Sequence, residues 1–325
     1  MLAFRVLAAL CLLCLAGSGA ALAQADYPAK PIRLVVGFPA GGISDVLARA
    51  LAVRMTQSIR QQVIVDNKPG AGTTIAGELI AKSAPDGYTI WLQDITTHAI
   101  NASLYAKLPY DSLRDFTPIS LVASTPLMLV VHPSTAAGSV QELIALLKAR
   151  PGTYSYGSSG NGTIIHLSGE MLKMAAGGLD VVHVPYKGSA PATVAILGGE
   201  VAFVFSTMPS ALANVKSGKL RALAVTTPRR SPAAPEVPTM VESGLPGFEI
   251  VLYSGILAPP GLSPALARRL QAEFAKVVRD PETRAVYESI GADPITNSPD
   301  ELRTMIAAEI AKLAPVVRAS GARVD

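Results

Sequence analysis

Aromatic residues are scarce, at 5% of 325 residues, and charged residues make up only 16%. Few aromatics argue against the stacking platforms that hold single-stranded nucleic acid. The formal charge of +4 comes without any long run of lysine or arginine. Arg229-Arg230 is the densest basic spot, and a pair of that kind reads as a solvated loop. Nucleic acid is therefore not an expected partner. Cysteine occurs only at Cys11 and Cys14, each preceded by leucine rather than set in a lipoprotein context. The chain also lacks a G-x-x-x-x-G-K-[ST] phosphate loop and a G-x-S-x-G nucleophile elbow. The four histidines, His98, His132, His166 and His183, are scattered without an H-x-x-x-H pair, which argues against a zinc site.

What is present starts at the N-terminus. Arg5 precedes an apolar core over residues 6–15, followed by small residues up to Ala25. That is a secretory signal-peptide pattern, and the apolar core is too short to span a bilayer comfortably. Residues 1–25 are read as the signal peptide, with cleavage near Ala23 or Ala25. Cleavage removes both cysteines, so the mature protein has no disulfide, thiol nucleophile or thiolate metal site. The expected location is a bacterial periplasm.

Half of the residues are hydrophobic, enough for a large core, and the length suggests about two domains. "IRLVVGF" is a continuous apolar run, as in a parallel strand covered on both faces. The following residues place Ile43, Val46, Leu47, Ala50, Leu51, Met55 and Ile59 on one helical face. "QVIVDN" and "YTIWLQD" read as strands with a helix over 74–83 between them. This βαβαβ order predicts an α/β domain with right-handed crossovers. "TPISLVAS" and "LMLVVHP" read as two strands leading into a second series. There Ser139 and Glu142 make a capping box, "TYSYGSSGNGT" is a strand and glycine loop, and "DVVHVPY", "VAFVFS" and "LRALAVTT" are strands. Ser263-Pro264, Asp280-Pro281 and Ser298-Pro299 each predict a helix start in the C-terminal region.

Two strand–glycine-loop–helix units, at 37–45 and 157–163, carry the chemistry. A helix N-terminus has free N–H groups and a partial positive charge, and glycines let a ligand approach them. Two such loops facing each other would grip a carboxylate without arginine or lysine. Ser44, Ser159 and Thr163 add hydroxyls. Asp45 falls where an N-cap is expected, holding the loop. Gly70, Gly72 and Gly77 with Asp94 give a partial match to a dinucleotide fingerprint, but Lys68-Pro69 and the displaced third glycine count against it. No cofactor is expected. Asp94 either meets a ligand amine or caps a helix. Ser159 with His166 is the only sequence-local nucleophile–base candidate.

Long stretches then resemble a known family: "YPAKPIRLVVGFPAGGISDVLARALA", "VDNKPGAGTTIAGELIAKSAPDGYTI", "YGSSGNGTIIHLSGEML", "VPYKGSAPA", "SGKLRALAVTT" and "VPTMVESGLPGFE". The chain resembles the tripartite tricarboxylate transporter substrate-binding proteins, the Bug-type or TctC-like receptors, over nearly its whole mature length. The resemblance implies a two-lobed α/β fold of the periplasmic-binding-protein type (type II) with a central cleft and hinge. Residues 26–122 with 225–325 would form lobe 1, and 123–224 lobe 2. It implies a monomeric, non-catalytic receptor that delivers a small organic carboxylate to the membrane permease of a tripartite transporter. Carried over by motif, the ligand-binding positions are Phe38, Ala40, Gly41, Gly42, Ser44 and Asp45 in the first loop and Ser158, Ser159, Gly160 and Thr163 in the second. Asp94, Thr96, Ser206 and Thr207 would line the rest. Gln93-Asp94, Phe205-Ser206 and the region of Tyr253 depart from many relatives, so the ligand of no relative transfers directly. The alternatives are a periplasmic enzyme acting on a small acid and a solute sensor for a two-component system.

Overall fold

A computed structural model describes residues 27–322 and residue 324. The signal-peptide reading of residues 1–25 lies outside these. One ten-stranded sheet runs through the described residues.

The first unit begins with β1 (Ile32–Val36), which pairs in parallel with β2 (Val63–Asn67) and β3 (Thr89–Asp94). Helix α1 (Ile43–Ile59) and helix α2 (Thr74–Ala81) make the crossovers, and α3 (Ile95–Leu104) follows β3 directly. Leu34 and Val36 are fully buried, as are Leu47, Leu51 and Met55 along α1. Burying a side chain of that size contributes about 1.5–3 kcal/mol. That stripe is why this stretch is helical and why it lies on the sheet. The sheet then continues into β9 (Val251–Ala258), antiparallel to β3. This strand was not anticipated from the sequence.

The two strands expected at 117–124 and 127–133 are one, β4 (Thr117–Val131), of 15 residues. Its first part pairs with β9 as far as Pro126, and from Leu127 its partners are β7 (Phe203–Thr207) and β8 (Arg221–Val225). Proline lacks an N–H and interrupts a ladder. Here it sits at the change of partners. Thr226 ties the junction: its N–H donates to Leu127 O at 3.0 Å, its Oγ1 accepts from Leu127 N–H at 3.0 Å, and its carbonyl accepts from Ile250 N–H at 3.2 Å.

The second unit contains α4 (Val140–Ala149), β5 (Ser155–Ser158), α5 (Ile164–Ala175), β6 (Val182–Pro185), α6 (Ser189–Leu197) and α7 (Met208–Lys216). β5 pairs in parallel with β6 and β7. At α4, Ser139 Oγ accepts from Glu142 N–H, but the Glu142 carboxylate takes the N–H of Gly138 at 2.6 Å rather than that of Ser139. The expected capping box is thus displaced by one residue.

The chain returns to the first unit with α8 (Pro264–Val278), α9 (Pro281–Ser289), β10 (Asp293–Pro294) and α10 (Pro299–Ser320). Ser263, Asp280 and Ser298 are their N-caps, each followed by proline, and Ser298 with Glu301 forms a full capping box. Helix α10 packs on α3 and β4 and also reaches α5. The result is a two-lobed α/β molecule with a cleft between the lobes. No helix among the described residues is long and apolar enough to cross a membrane.

Candidate functional site

The cleft holds a cavity of about 350 Å³ onto which five helix N-termini converge, those of α1, α3, α5, α6 and α7. Helices α3 and α7 start directly at the ends of β3 and β7, and α1, α5 and α6 follow β1, β5 and β6 through the loops 37–42, 159–163 and 186–188. One of the five ends is closed by a side chain. At α3, Asp94 Oδ1 accepts from the N–H groups of Thr96 (2.9 Å) and Thr97 (3.1 Å), and its Oδ2 accepts from the Thr97 hydroxyl at 2.6 Å. At α7, Pro209 removes one N–H group and no side chain caps the end.

The ends of α1, α5 and α6 also keep N–H groups without an intrahelical partner. Helix α1 has Gly42 as N-cap with no side-chain cap, and its first backbone bond runs from Val46 N–H to Gly42 O. The N–H groups of Ile43 and Ser44 are left without an intrahelical acceptor, and both residues line the cavity. In α5 the first such bond runs from Leu167 N–H to Thr163 O, and Thr163 Oγ1 accepts from His166 N–H. That leaves Ile164 and Ile165 open, with Ile165 on the cavity wall. Helix α6 has glycine as N-cap and no side-chain cap.

Asp45 is not the N-cap of α1 but its third residue. From there its Oδ2 accepts from Gly41 N–H and from Arg49, both at 2.9 Å, and its Oδ1 from Asn67 Nδ2 at 3.1 Å. Burial alone would push this carboxyl up; the hydrogen bonds from Arg49, Gly41 and Asn67 outweigh it and hold it below the usual range. The loop is therefore braced from behind, and the N–H of Gly41 is spent on the brace. In the second loop, Gly160 N–H goes to Ser158 Oγ (3.1 Å) and Gly162 N–H to His166 Nδ1 (3.0 Å). The N–H groups of Gly41, Gly160 and Gly162 thus shape the turns, while those of the first helical residues stay without an intrahelical acceptor.

Among the positions singled out in the sequence, Phe38, Ala40, Gly41, Gly42, Ser44, Asp94, Ser159 and Thr207 line this cavity. Gly160 and Thr163 line an adjoining cavity of about 760 Å³ that shares Phe38, Pro39 and Ser159 with the first. Asp45, Thr96, Ser158 and Ser206 stand one layer back. Thr96 Oγ1 donates to Val251 O and accepts from Tyr253 N–H, which ties α3 to β9. Ser206 Oγ lies 2.8 Å from Thr193 Oγ1. Ser158 Oγ lies 2.6 Å from His183 Nε2.

Ser159 and His166 are not paired. Ser159 donates to Thr163 Oγ1 at 3.0 Å, and His166 Nδ1 is taken by Gly162. His166 instead stacks on His183 with ring centroids 3.9 Å apart. Desolvation, reinforced by Lys173 for His166 and by His166 for His183, pushes each down to about 4. Asp94 moves the other way, to about 6, chiefly through desolvation that its hydrogen bonds only partly offset. No group of three or more His, Cys, Asp or Glu among the described residues is placed to hold a metal.

The α6 wall is new. Lys187, Gly188 and Ser189 border the cavity, and residue-by-residue reading of the sequence gave them no role. The available signal was Gly188-Ser189 before Pro191, a helix-start pattern.

The family described as "Tripartite tricarboxylate transporter family receptor" matches residues 47–322. The chain is 39% identical to Protein BugT of Bordetella pertussis over 309 residues, 95% of this chain and 94% of that one. A structure of Rhodopseudomonas palustris Rpa4515 with adipate superposes with a TM-score of 0.86 at 34% identity, covering 92% of this chain and 100% of that one. MatC of the same organism with bound malate gives 0.83 at 28% identity, covering 90% and 100%. The family match runs from within α1 to residue 322 and the BugT match covers 95% of the chain, so the chain belongs to the tripartite tricarboxylate transporter receptors, a family of periplasmic solute-binding proteins.

Proposed function

We propose that the protein is a receptor for a small organic carboxylate. One ligand carboxylate is held in the cleft by the open N–H groups of Ile43 and Ser44 on α1 and of Ile164 and Ile165 on α5. The observation that carries this reading is the convergence of open helix N-termini on one cavity. Such ends favour an anion through their free N–H groups and through the helix dipole. Relatives crystallised with adipate and with malate hold acids of this kind. The receptor reading is favoured over an enzyme because Ser159 and His166 are each engaged elsewhere.

In this reading the lobes close about the Pro126–Leu127 junction, and the membrane permease of a tripartite-type transporter recognises the closed form. The mature chain acts in the periplasm after signal-peptide cleavage, as a monomer and without a cofactor. A thermal-shift screen with a panel of mono-, di- and tricarboxylates tests the ligand class. An acid present at 100 times its Kd stabilises the folded protein by about 2.7 kcal/mol. A panel in which no acid raises the Tm, or in which neutral amides raise it equally, contradicts the proposal.

A further inference from the structure

We infer that Thr73 is a positioning residue for the ligand site: held in a left-handed backbone conformation, its side chain fixes the first residue of the first glycine loop. This rests on the carboxylate reading of the cleft and adds to it a residue that acts through others.

The stretch "KPGAGTT" between β2 and α2 has no role in that reading. Its residues Ala71, Gly72 and Thr73 take φ values of 44°, 58° and 76°, three left-handed residues in succession. That region crowds the Cβ of any residue but glycine, and a β-branched residue there is an outlier. Among the described residues only three others than glycine have positive φ. Arg60 ends α1, and the remaining two stand in this turn. Side chains from the end of α3 hold the turn: the Tyr105 hydroxyl donates to Ala71 O at 2.6 Å, and Asn101 Nδ2 donates to Gly72 O at 2.7 Å. Such conformations persist where the surroundings over-determine them, and they cluster at ligand clamps and other functional sites.

Glycine at position 73 would take the same φ without crowding. What threonine adds is its side chain, which is buried. A Cβ on Gly37 would lie 2.8 Å from Thr73 Cβ and 3.0 Å from Thr73 Cγ2. Gly37 is the residue at which β1 gives way to the loop 37–42, so Thr73 rests directly on the backbone at the root of that loop. Its Oγ1 accepts from Gln93 Nε2 at 2.8 Å, and Gln93 Oε1 accepts from Asp94 N–H at 3.1 Å. One side chain thus touches the root of the loop that leads to Ile43 and Ser44 and, through Gln93, the residue that closes α3. Asn67 and Asp45 brace the loop further along, at Phe38 O and Gly41 N–H. Thr73 supplies the brace at its first residue. A turn needed only for its shape would be served by glycine; threonine at this φ is explained by the contacts it brings to the loop.

The test compares the wild type with Thr73→Gly and Thr73→Ser. Thr73→Gly relaxes the backbone and removes both contacts, while Thr73→Ser keeps a hydroxyl for Gln93. Calorimetry with malate, succinate, glutarate and adipate reads the affinity of each folded protein. Amide exchange without ligand is followed over 37–46, with 140–175 in the other lobe as internal reference. Thr73→Gly should bind the tightest of these acids about tenfold more weakly, as when the competent loop is populated about one-tenth of the time. It should also exchange faster over 37–46 and not over 140–175. Thr73→Ser should lie between it and the wild type. A purely structural role would lower the denaturation midpoint and leave the affinity of the folded variant unchanged, and that result overturns the inference. So does weaker binding with unchanged exchange over 37–46, which puts Thr73 against the ligand instead of behind the loop. If the wild type binds no acid of the series, the carboxylate reading falls, and unchanged exchange over 37–46 in Thr73→Gly still overturns the positioning role. Should Thr73→Gly not fold, Thr73→Ser is held to the same two criteria.

Discussion

Asp94 is a buried carboxylate in the wall of a cavity proposed to receive another carboxylate. Desolvation already lifts it to about 6, and a neighbouring anion raises it further. Binding therefore takes up a proton, and affinity for an acid should rise as the pH falls from 7.5 toward 6. Asp94→Asn keeps an oxygen for the Thr96 and Thr97 N–H groups and removes the charge. It should tighten binding at pH 7.5 by about tenfold, equivalent to one unit of coupling, and flatten the pH profile; titration calorimetry at pH 7.5 and 6 measures both. The histidine pair has the opposite dependence. His166 and His183 lie near 4 in the fold, below their ordinary value of 6.5. The unfolded chain thus binds more protons between these values, and stability present above pH 6.5 is lost as the pH falls through 4. Lys173 and Glu170 on α5 and Tyr156 on β5 face the same rings. Protonation of His166 at Nδ1 would set two donors against each other at Gly162. Tm measured across pH 6.5 to 4 should fall less steeply in a His166→Asn variant; an identical slope would remove the pair from the acid response.

At the scale of elements, much was legible and the failures have identifiable causes. The α1 stripe, the strand–loop–helix units and the Ser–Pro and Asp–Pro helix starts are local patterns, and they stand in the structure. Strand β9 was missed although "VLYSGILA" is apolar and rich in strand formers, because its partners β3 and β4 lie far away in sequence. The joining of two expected strands into β4 depends on a change of partners at Pro126 that no local pattern announces. The loops were recognised, but the bonding within them was not. Gly41 and Gly160 are expected ligand-binding positions by the family motif, and Asp45 and Ser158 take their N–H groups. Such pairing is set by side-chain placement in three dimensions, which spacing does not reveal. The second loop also touches the opposite lobe: a Cβ on Gly162, at φ +71°, would overlap Leu104 at the end of α3. Gly162→Ala should destabilise the protein by about 2 kcal/mol through backbone strain and overlap, and weaken acid binding as well. Chemical denaturation and calorimetry read the two effects separately.

For the molecule as a whole, the chain crosses between lobes along β4 and returns near Thr226 and Ile250, while α10 reaches from α3 to α5. These connections place the open ends of α1 and α5 in one cleft although their loops lie more than a hundred residues apart in the sequence. The echo of the two loops was readable; their convergence required the strand order. If the lobes close on an acid, small-angle scattering should show a smaller radius of gyration with ligand than without. The most direct measurement is a crystal structure of the protein with the tightest-binding acid of the panel. The account predicts carboxylate oxygens at hydrogen-bonding distance, about 2.7–3.2 Å, from the N–H groups of Ile43 or Ser44 and of Ile164 or Ile165. An acid bound outside this cleft, or within it with its carboxylates away from both helix ends, would contradict the account.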